Sequence, residues 1–282
     1  MGKLDGKVAF ITGAARGQGR SHAVRLAEEG ANIIAVDLCG AIPTVNYPPA
    51  TREDLEQTVK EVESTGASIL ASVADVRRRD ELALALKQGV TRFGGLHVVV
   101  ANAGVYPGLG NGGLCDSFVD ATDTDLIGVM NTVAVSLPYL GEGASIVVTG
   151  STAAMIDGAL SGLGPGTGGY AWAKKSLMSY VEVLGVHLAP HSVRINAVHP
   201  TNVDTYLLHN RDVYRAFRPD VENPTREDAM QAFPAMHPMP VPFIAPRDVS
   251  NLISFLASDD ASFVTGQNIR VDAGAMLQPP PV

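Results

Sequence analysis

Short apolar runs alternate along the chain with longer segments of helical periodicity, and this alternation limits the possible folds more than any other feature. The runs lie at residues 8–12, 32–37, 68–74, 97–101, 145–149, 194–199 and 268–272. Most are continuously apolar, which is typical of strands covered by helices on both faces. Strand, helix and strand in repeated order predict a parallel sheet with right-handed crossovers. We therefore predict a doubly wound, seven-stranded, three-layer α/β fold of the Rossmann type.

Composition narrows the choice of partners. The chain has 282 residues, 46% of them hydrophobic, and a formal net charge of −8. This length suits one large domain, so we expect residues 1–282 to fold as a single unit. The negative charge disfavours nucleic acid and anionic membranes as partners. Only Cys39 and Cys115 are present, too few for a disulfide framework, and no apolar run reaches the roughly 18 residues of a membrane span, so we expect a cytoplasmic protein.

Two segments interrupt the alternation of strands and helices. Residues 38–51 contain three prolines and no helical period, which predicts a long loop inserted after the second strand. Residues 204–246 are rich in proline, methionine and aromatic residues. Long loops in compact domains are usually functional or disordered, and this one is too apolar for disorder. We therefore expect residues 204–246 to form a lid over a substrate site.

A glycine-rich turn follows the first predicted strand and precedes a helix predicted for residues 19–30. Gly13, Gly17 and Gly19 permit tight backbone conformations and let the main chain approach a pyrophosphate closely. The helix N-terminus then offers free N–H groups and the positive end of its dipole. This context predicts a dinucleotide site.

Asp37, at the end of the second predicted strand, bears on the choice of dinucleotide. A carboxylate there accepts hydrogen bonds from the adenosine ribose hydroxyls and repels a 2′-phosphate. Arg16 in the glycine turn favours NADP instead, whereas the residue after Asp37 is the uncharged Leu38. We give Asp37 the greater weight and predict NAD.

Tyr170 and Lys174 are spaced so that both side chains lie on one face of a helix. A tyrosine hydroxyl has a pKa of about 10 and is a poor base at neutral pH. We expect the Lys174 ammonium and an oxidised nicotinamide to lower the Tyr170 pKa by ~2 units. Ser151 follows the fifth predicted strand, so its hydroxyl lies at the sheet edge where doubly wound folds bind ligands.

Together these motifs resemble the classical short-chain dehydrogenase/reductase family. The matching elements are residues 12–19, Asp75-Val76, Asn102-Ala103-Gly104, Asn131, Ser151, Tyr170 with Lys174, and residues 196–200. The resemblance implies an NAD-dependent alcohol dehydrogenase/reductase acting on CH–OH groups, and a homotetramer. It implies no metal, and His187 and His191 predict none because Pro190 separates them and no third ligand is near.

The resemblance also implies roles for individual residues. Tyr170 would be the general acid/base, Ser151 would hold the substrate oxygen, Lys174 would bind the nicotinamide ribose, and Asn131 would hold a water linking Lys174 to solvent. The implied cofactor contacts are Gly13, Arg16, Gly17, Gln18, Gly19, Asp37, Leu38, Asp75, Val76, Asn102, Ala103, Gly104, Tyr170, Lys174, Pro200, Val203 and Thr205.

The sequence departs from the family pattern near the substrate mouth. Ser151 lies further before Tyr170 than is usual, and the extra length falls in the glycine-rich residues 157–169, which we expect to form a loop. Thr152 adjoins Ser151 and offers a second hydroxyl. Pro200-Thr201-Asn202 stands where the family has Pro-Gly, which predicts a stiffer loop.

Residues 13–22, 36–39, 199–201 and 217–225 look like the mycofactocin-coupled branch of this family, to which carveol dehydrogenases belong. Its members carry an insertion after the second strand, as residues 38–51 do. This likeness implies a small apolar secondary alcohol or ketone as substrate, NAD held without ready exchange, and mycofactocin as a possible redox carrier.

Two alternatives remain open at this point. The first alternative to an alcohol dehydrogenase is a catalytically inactive dinucleotide-binding protein. The second is an NAD(P)-dependent 3-ketoacyl reductase. The four filled catalytic positions argue against the first. The acidic net charge argues against the second, because such reductases usually present a basic patch to an acidic carrier protein.

Overall fold

Seven parallel strands form one sheet in this computed structural model, which describes residues 2–108, 115–156 and 164–277. The strand order is β3-β2-β1-β4-β5-β6-β7. The strands are β1 (Val8–Thr12), β2 (Asn32–Asp37), β3 (Ile69–Val73), β4 (Leu96–Ala101), β5 (Leu140–Thr149), β6 (Arg194–Pro200) and β7 (Asn268–Val271). The order reverses between β1 and β4, which is where doubly wound sheets bind ligands. The predicted fold class is confirmed.

Helices cover both faces of the sheet. They are α1 (Gly17–Glu28), α2 (Arg52–Ser64), α3 (Arg79–Phe93), α4 (Asp116–Thr122), α5 (Gly128–Ser136), α6 (Pro165–Leu188), α7 (Arg211–Phe217), α8 (Arg226–Ala232) and α9 (Pro246–Ala257). Residues of α1, α2 and α9 share one apolar core with the sheet, and residues of α3, α5 and α6 share the other. Across the described ranges, none of the helices combines the length and the apolarity that a membrane crossing needs.

The two cores explain why the strands read as continuous apolar runs. In β1, Phe10 packs into the core under α3 and α6, whereas Ala9 and Ile11 pack into the core under α1 and α9. Successive side chains of a strand point to opposite faces, so both sets must be apolar when both faces are covered. All five residues of β1 are buried.

Some boundaries differ from the prediction. The first helix begins at Gly17, two residues before the predicted start at residue 19. It ends at Glu28, and Gly30 stops it with a left-handed φ of 96°, as expected of a glycine at this position. Strand β5 begins at Leu140 rather than residue 145, since Leu140 pairs with Leu96 before an irregularity in register. As predicted, no helix or strand lies between Asp37 and Arg52.

The segment 204–246 contains two short helices, α7 and α8, that the sequence analysis did not predict. Asn210 caps α7 by accepting hydrogen bonds from two backbone amides, and Thr225 forms a capping box with Asp228 at the start of α8. The two helices share a small apolar core of Leu208, Val213, Ala229 and Phe233. The apolar residues of this segment therefore form a small packed core of their own.

Close packing of α3 on β2 gives a test of the fold. A Cβ atom added at Gly89 would lie 2.5 Å from side-chain carbons of Ile34. Gly89→Ala gains up to about 1 kcal/mol of helix propensity but costs about 1–3 kcal/mol of overpacking. We expect a net loss of about 1 kcal/mol in the free energy of unfolding, measured by urea denaturation.

Gly168→Ala is the matched control. Gly168 also lies in a helix, α6, but no heavy atom lies within 4 Å of its added Cβ. This variant should keep or gain stability, and an equal gain in both variants would contradict the packing of Gly89 on Ile34.

Candidate active site

Hydrogen bonds join the carboxyl ends of β1, β4 and β5 at the point where the strand order reverses. The Thr12 hydroxyl oxygen accepts from the backbone N–H groups of Asn102 (3.1 Å) and Ala103 (3.2 Å). Asn102 Nδ2 donates to the Thr12 carbonyl at 3.0 Å, and Thr149 Oγ1 donates to Asn102 Oδ1 at 3.3 Å. These contacts fix the floor of a cleft that runs along the edge of the sheet.

The glycine turn closes one side of this cleft, and its glycines are required by close approach. Gly13 and Gly17 have left-handed φ values of 67° and 57°, which favour glycine. A Cβ on Gly19 would overlap the Gly13 carbonyl, and one on Gly13 would lie 2.8 Å from Ala103 Cα. The turn therefore presents bare backbone to the cleft.

The cleft contains a cavity of about 230 Å³ at the glycine turn and a second one of about 290 Å³ beside Tyr170. Gln18, Asn102, Gly104, Thr205 and Leu207 line both cavities, so the two are continuous. The buried Gln18 Oε1 has no hydrogen-bond partner among the described residues. Two joined cavities, a bare glycine turn and an unpaired amide oxygen fit a dinucleotide.

All the residues predicted to contact the cofactor line these two cavities. The first is lined by Gly13, Arg16, Gly17, Gln18, Gly19, Asp37, Leu38, Asp75, Val76, Asn102, Ala103, Gly104 and Thr205. The second is lined by Tyr170, Lys174, Pro200 and Val203.

Asp37 and Arg16 are both fixed by other contacts. Asp37 Oδ2 accepts from the Ala15 amide at 2.9 Å and Oδ1 from the Cys39 amide at 3.0 Å, so the carboxylate is held at the cleft wall. Arg16 donates to the carbonyls of Pro48 and Pro49 in the inserted loop, and its guanidinium lies 4.5 Å from the ring centroid of Tyr206. The Arg16 side chain therefore contacts both the inserted loop and segment 204–246.

Ser151, Tyr170 and Lys174 meet at the mouth of the second cavity. Lys174 is buried, and its Nζ donates to the Thr149 carbonyl at 2.9 Å and lies 5.6 Å from the ring centroid of Tyr170. The Ser151 hydroxyl is hydrogen-bonded to the Tyr170 hydroxyl. Tyr106 packs edge-on against the Tyr170 ring, with 5.4 Å between centroids. This arrangement holds a hydroxyl pair beside a buried ammonium.

The structure distinguishes the neighbouring hydroxyls of Ser151 and Thr152. Thr152 is buried and donates to the Pro200 carbonyl at 3.3 Å. Ser151 is positioned by His199, whose Nδ1 lies 3.2 Å from the Ser151 amide nitrogen, and a side chain on Gly150 would overlap the His199 ring. Of these two hydroxyls, that of Ser151 is the one hydrogen-bonded to Tyr170.

The charges around Tyr170 differ from the sequence-based expectation. Burial raises the pKa of the Tyr170 hydroxyl above its usual 10, the negative charge of Asp125 raises it further, and the hydrogen bond from Ser151 opposes both. We expected Lys174 to lower this pKa. With the protein groups alone the pKa is raised, first by burial and then by the Asp125 carboxylate, and the combined effect of Lys174 and an oxidised nicotinamide stays a prediction.

The side chain of Asn131, expected to hold a water near Lys174, is bound by two other groups. Its Nδ2 donates to the Val76 carbonyl at 3.0 Å, and its Oδ1 accepts from Arg79 Nε at 3.1 Å, so its amide links α5 to the end of β3. The group beside Lys174 is Asp125, with 3.1 Å between Oδ1 and Nζ. A π-helical turn at Asp123–Ile127, between α4 and α5, carries this residue.

Sequence reasoning missed Asp125, Tyr106 and Tyr47. Tyr47 of the inserted loop accepts a hydrogen bond from the Tyr106 amide at 3.2 Å. A signal for Asp125 was available, because helical spacing places it on the same face as the apolar Ala121 and Val129, where a carboxylate is unusual. Tyr47 and Tyr106 lie in irregular segments that carry no such periodicity.

The second cavity is largely apolar. Its walls include Tyr106, Ala153, Ile156, Leu207, Leu208, Val213, Ala216, Phe217 and Met236. Of the aromatic and methionine residues in segment 204–246, Phe217 and Met236 line this cavity and Tyr206 lines the other. Phe233 is buried in the core of the segment, with Tyr214 and Met230 packed against that core, and Met239 is exposed. Most of the aromatic and methionine residues therefore hold the segment together.

The glycine-rich residues 157–169 were expected to form a loop. Residues 157–163 lie outside the described part of the chain. Residues 165–169 are helical and start α6. A Cβ on Gly169 would come 2.8 Å from backbone atoms of Phe118, so this glycine permits close packing of α6 on α4.

Comparison with known proteins agrees with this geometry. A family model described as enoyl-(acyl carrier protein) reductase matches residues 13–276. A short-chain type dehydrogenase/reductase of Mycolicibacterium smegmatis is 47% identical over 98% of this chain and 99% of that protein. The chain belongs to the short-chain dehydrogenase/reductase family. The resemblance to this family is confirmed.

Two further relatives carry more specific names. The (-)-trans-carveol dehydrogenase of Rhodococcus erythropolis is 42% identical over 99% of this chain and all of its own length. The crystal structure of carveol dehydrogenase from Mycobacterium avium in complex with NAD matches with a TM-score of 0.91 and 42% identity. That match covers 99% of this chain and 100% of the other.

The different contacts of Ser151 and Thr152 predict different effects of removing each hydroxyl. Ser151→Ala removes the hydrogen bond to Tyr170, and we expect dehydrogenase kcat to fall by about 10²-fold. Thr152→Ala should leave kcat within a few-fold and lower stability by about 1 kcal/mol, because it removes only a bond to a backbone carbonyl. Steady-state kinetics and thermal denaturation measure both effects. The reverse order of kcat losses would assign the role to Thr152.

Proposed function

We propose that this protein transfers a hydride between NAD and a small, apolar secondary alcohol or its ketone. One observation carries the proposal: Ser151, Tyr170 and Lys174 stand where an apolar cavity joins a cleft that fits a dinucleotide. Similarity to carveol dehydrogenases supports the same reading.

Each of the three residues has a distinct role in this proposal. The hydroxyls of Ser151 and Tyr170 hold the substrate oxygen, and Tyr170 takes the hydroxyl proton during oxidation or gives it back during reduction. Lys174 holds the nicotinamide ribose with the donors that remain beside its bond to Thr149. The bound nicotinamide supplies the hydride acceptor or donor.

NAD is the cofactor that the cleft favours. The Asp37 carboxylate, held by two backbone amides, faces the position of the adenosine ribose and repels a 2′-phosphate. Arg16 is the nearby cation that would favour NADP, and its donors go to Pro48 and Pro49. Two of the Arg16 donors are thus not available to a 2′-phosphate, whereas the Asp37 carboxylate repels one.

The cavity beside Tyr170 indicates the class of substrate. About 290 Å³ suits a compact molecule, and the walls expose more apolar than polar surface although polar residues such as Thr201 and Asn202 also line them. Met236 and Phe217 supply adaptable and flat apolar surface. A monocyclic terpenol has this size and polarity, with one hydroxyl for Ser151 and Tyr170.

Tyr170→Phe tests the function directly. The variant keeps the ring that packs on Tyr106 but lacks the proton-transfer group, so we expect kcat to fall by about 10²–10⁴-fold with NAD binding nearly unchanged. The assay uses a panel of terpenols, sugars and carrier-bound ketoacyl groups, with NAD or an artificial electron acceptor. A preference for sugars or carrier-bound groups would contradict the substrate class, and wild-type protein inert to the whole panel would favour a binding protein.

We further propose that residues 38–51 retain NAD, so that a separate carrier such as mycofactocin reoxidises it. The loop is joined to three other parts of the structure. Thr44 donates to Asp120 of α4 at 2.7 Å, Asn46 donates to Asp212 of α7 at 2.8 Å, and Tyr47 accepts from the Tyr106 amide. A loop tied on several sides must break these contacts before the dinucleotide leaves.

Arg16→Ala tests retention of the cofactor. It removes two charge-assisted hydrogen bonds to the loop and a cation–π contact with Tyr206, so we expect NAD to dissociate about 10-fold faster. Wild-type protein purified without added cofactor should release NAD on denaturation. Arg52→Ala is the control, because Arg52 is exposed and begins α2 directly after the same loop. Empty wild-type protein with rapid turnover on free NAD would refute retention.

We also propose a homotetramer. Exposed apolar side chains lie on α4 and α6, including Phe118, Val119, Trp172, Val183 and Val186, and the rings of Phe118 and Trp172 are 6.1 Å apart. Trp172, Val183 and Val186 lie on one stripe of α6 by helical spacing. An apolar surface of this kind is typical of subunit contacts.

A further inference from the structure

Asp125 is a fully buried carboxylate that the proposed reaction does not use. Its Oδ1 lies 3.1 Å from Lys174 Nζ, and its Oδ2 accepts from the Val105 amide at 3.2 Å. A Cβ on Gly104 would lie 2.5 Å from Oδ1, so the backbone of Gly104 leaves room for this side chain. The π-helical turn at Asp123–Ile127 carries Asp125 within the helical stretch that joins α4 to α5.

A buried carboxylate beside a buried ammonium changes what that ammonium does. Moving an ion out of water costs several kcal/mol unless an opposite charge lies close by, and Lys174 and Asp125 supply that charge to each other. Burial raises the pKa of the Asp125 carboxyl, the Lys174 charge opposes that rise, and with the carboxyl ionised the pair carries no net charge. A lone ammonium would stabilise a phenolate at Tyr170, whereas a neutral pair stabilises it much less.

We propose that Asp125 is a positioning residue that holds the Lys174 ammonium and offsets its charge at Tyr170, so that alcohol oxidation is displaced to a more alkaline pH range than it would have without this carboxylate. This inference rests on the proposed function of Tyr170 and concerns how that site is regulated by pH. In oxidation, the alcohol proton passes to the Tyr170 phenolate and the carbinol hydride passes to NAD. In reduction, both return to the ketone, and the protonated Tyr170 is the competent form.

Other groups around Tyr170 do not replace the missing positive charge. Tyr106 and Tyr47 are neutral phenols, Asp212 adds negative charge near Tyr106, and burial keeps the pKa of His199 below its usual range. In the described structure, the groups that face Tyr170 or its direct neighbours are Lys174 on α6, Asp125 in the π-helical turn, Tyr106 after β4, Tyr47 in the inserted loop, Asp212 on α7 and His199 on β6. Arg16 of the glycine turn also acts on Tyr47, and two of its donors bind the carbonyls of Pro48 and Pro49.

Asp125→Asn tests the proposal. It keeps the shape of the side chain but leaves the Lys174 charge uncompensated, so the pKa of Tyr170 should fall by about one unit. The pH profile of kcat for oxidation should then shift by the same amount toward acid, while the reduction profile loses rate at its alkaline end. Asp123→Asn is the matched control, because it removes an exposed carboxylate from the same turn, and it should shift neither profile.

A second measurement does not depend on turnover. Tyrosinate absorbance is followed against pH in each protein loaded with NAD, and the signal of Tyr170 is the difference from the same protein carrying Tyr170→Phe. Ionisation of Tyr170 at lower pH in Asp125→Asn than in the wild type supports the proposed role of Asp125. If the proteins show this shift but oxidise no alcohol, the result contradicts the proposed function and leaves the role of Asp125 supported. Equal ionisation in both proteins overturns the role of Asp125.

The wild-type protein alone gives a third test, which holds if Asp125→Asn fails to fold. With the Lys174 charge cancelled, kcat for oxidation should still be rising at about pH 9, one unit below the ordinary tyrosine pKa of about 10. A profile that is already level at neutral pH would overturn the proposal, because it would show a phenolate stabilised without removal of Asp125.

Discussion

Hydrogen bonds among Thr12, Asn102 and Thr149 join the carboxyl ends of β1, β4 and β5, and the position of the functional site depends on these bonds. The Thr149 side chain binds Asn102, while its carbonyl accepts from Lys174 Nζ at 2.9 Å. The floor of the cleft and the buried ammonium therefore share one residue. Because Lys174 and Tyr170 lie on successive turns of α6, fixing one fixes the direction of the other. The geometry at the mouth of the apolar cavity thus follows from the pairing of parallel strands.

The sequence predicted those parts of the molecule that are determined by local pattern. Strands covered on both faces must be apolar throughout, so residues such as Phe10 and Ile11 marked β1 clearly. Glycines at a strand-to-helix turn also carry their own physical reason, since a Cβ at Gly19 would overlap the Gly13 carbonyl. The parallel sheet and the dinucleotide site at its edge were predicted from these two signals.

Features that depend on contacts distant in sequence were not predicted. The turn at Asp123–Ile127 places Asp125 beside Lys174, a contact that the sequence analysis did not predict. No pattern near Asn131 reveals the positions of Val76 and Arg79, which bind its amide. The helices α7 and α8 were missed because their apolar residues serve a core of their own rather than the main sheet.

A neutral pair at Lys174 and Asp125 fits a protein that keeps its cofactor. A retained nicotinamide must be bound in both redox states by the same residues, and the oxidised ring carries one more positive charge than the reduced ring. A lone buried ammonium close to that ring would favour the reduced form through repulsion, which strengthens in a low dielectric. The Asp125 carboxylate removes that bias at a distance of 3.1 Å from the ammonium. Under the proposals made above, the inserted loop decides whether the cofactor leaves, and Asp125 decides how evenly its two redox states are held while it stays.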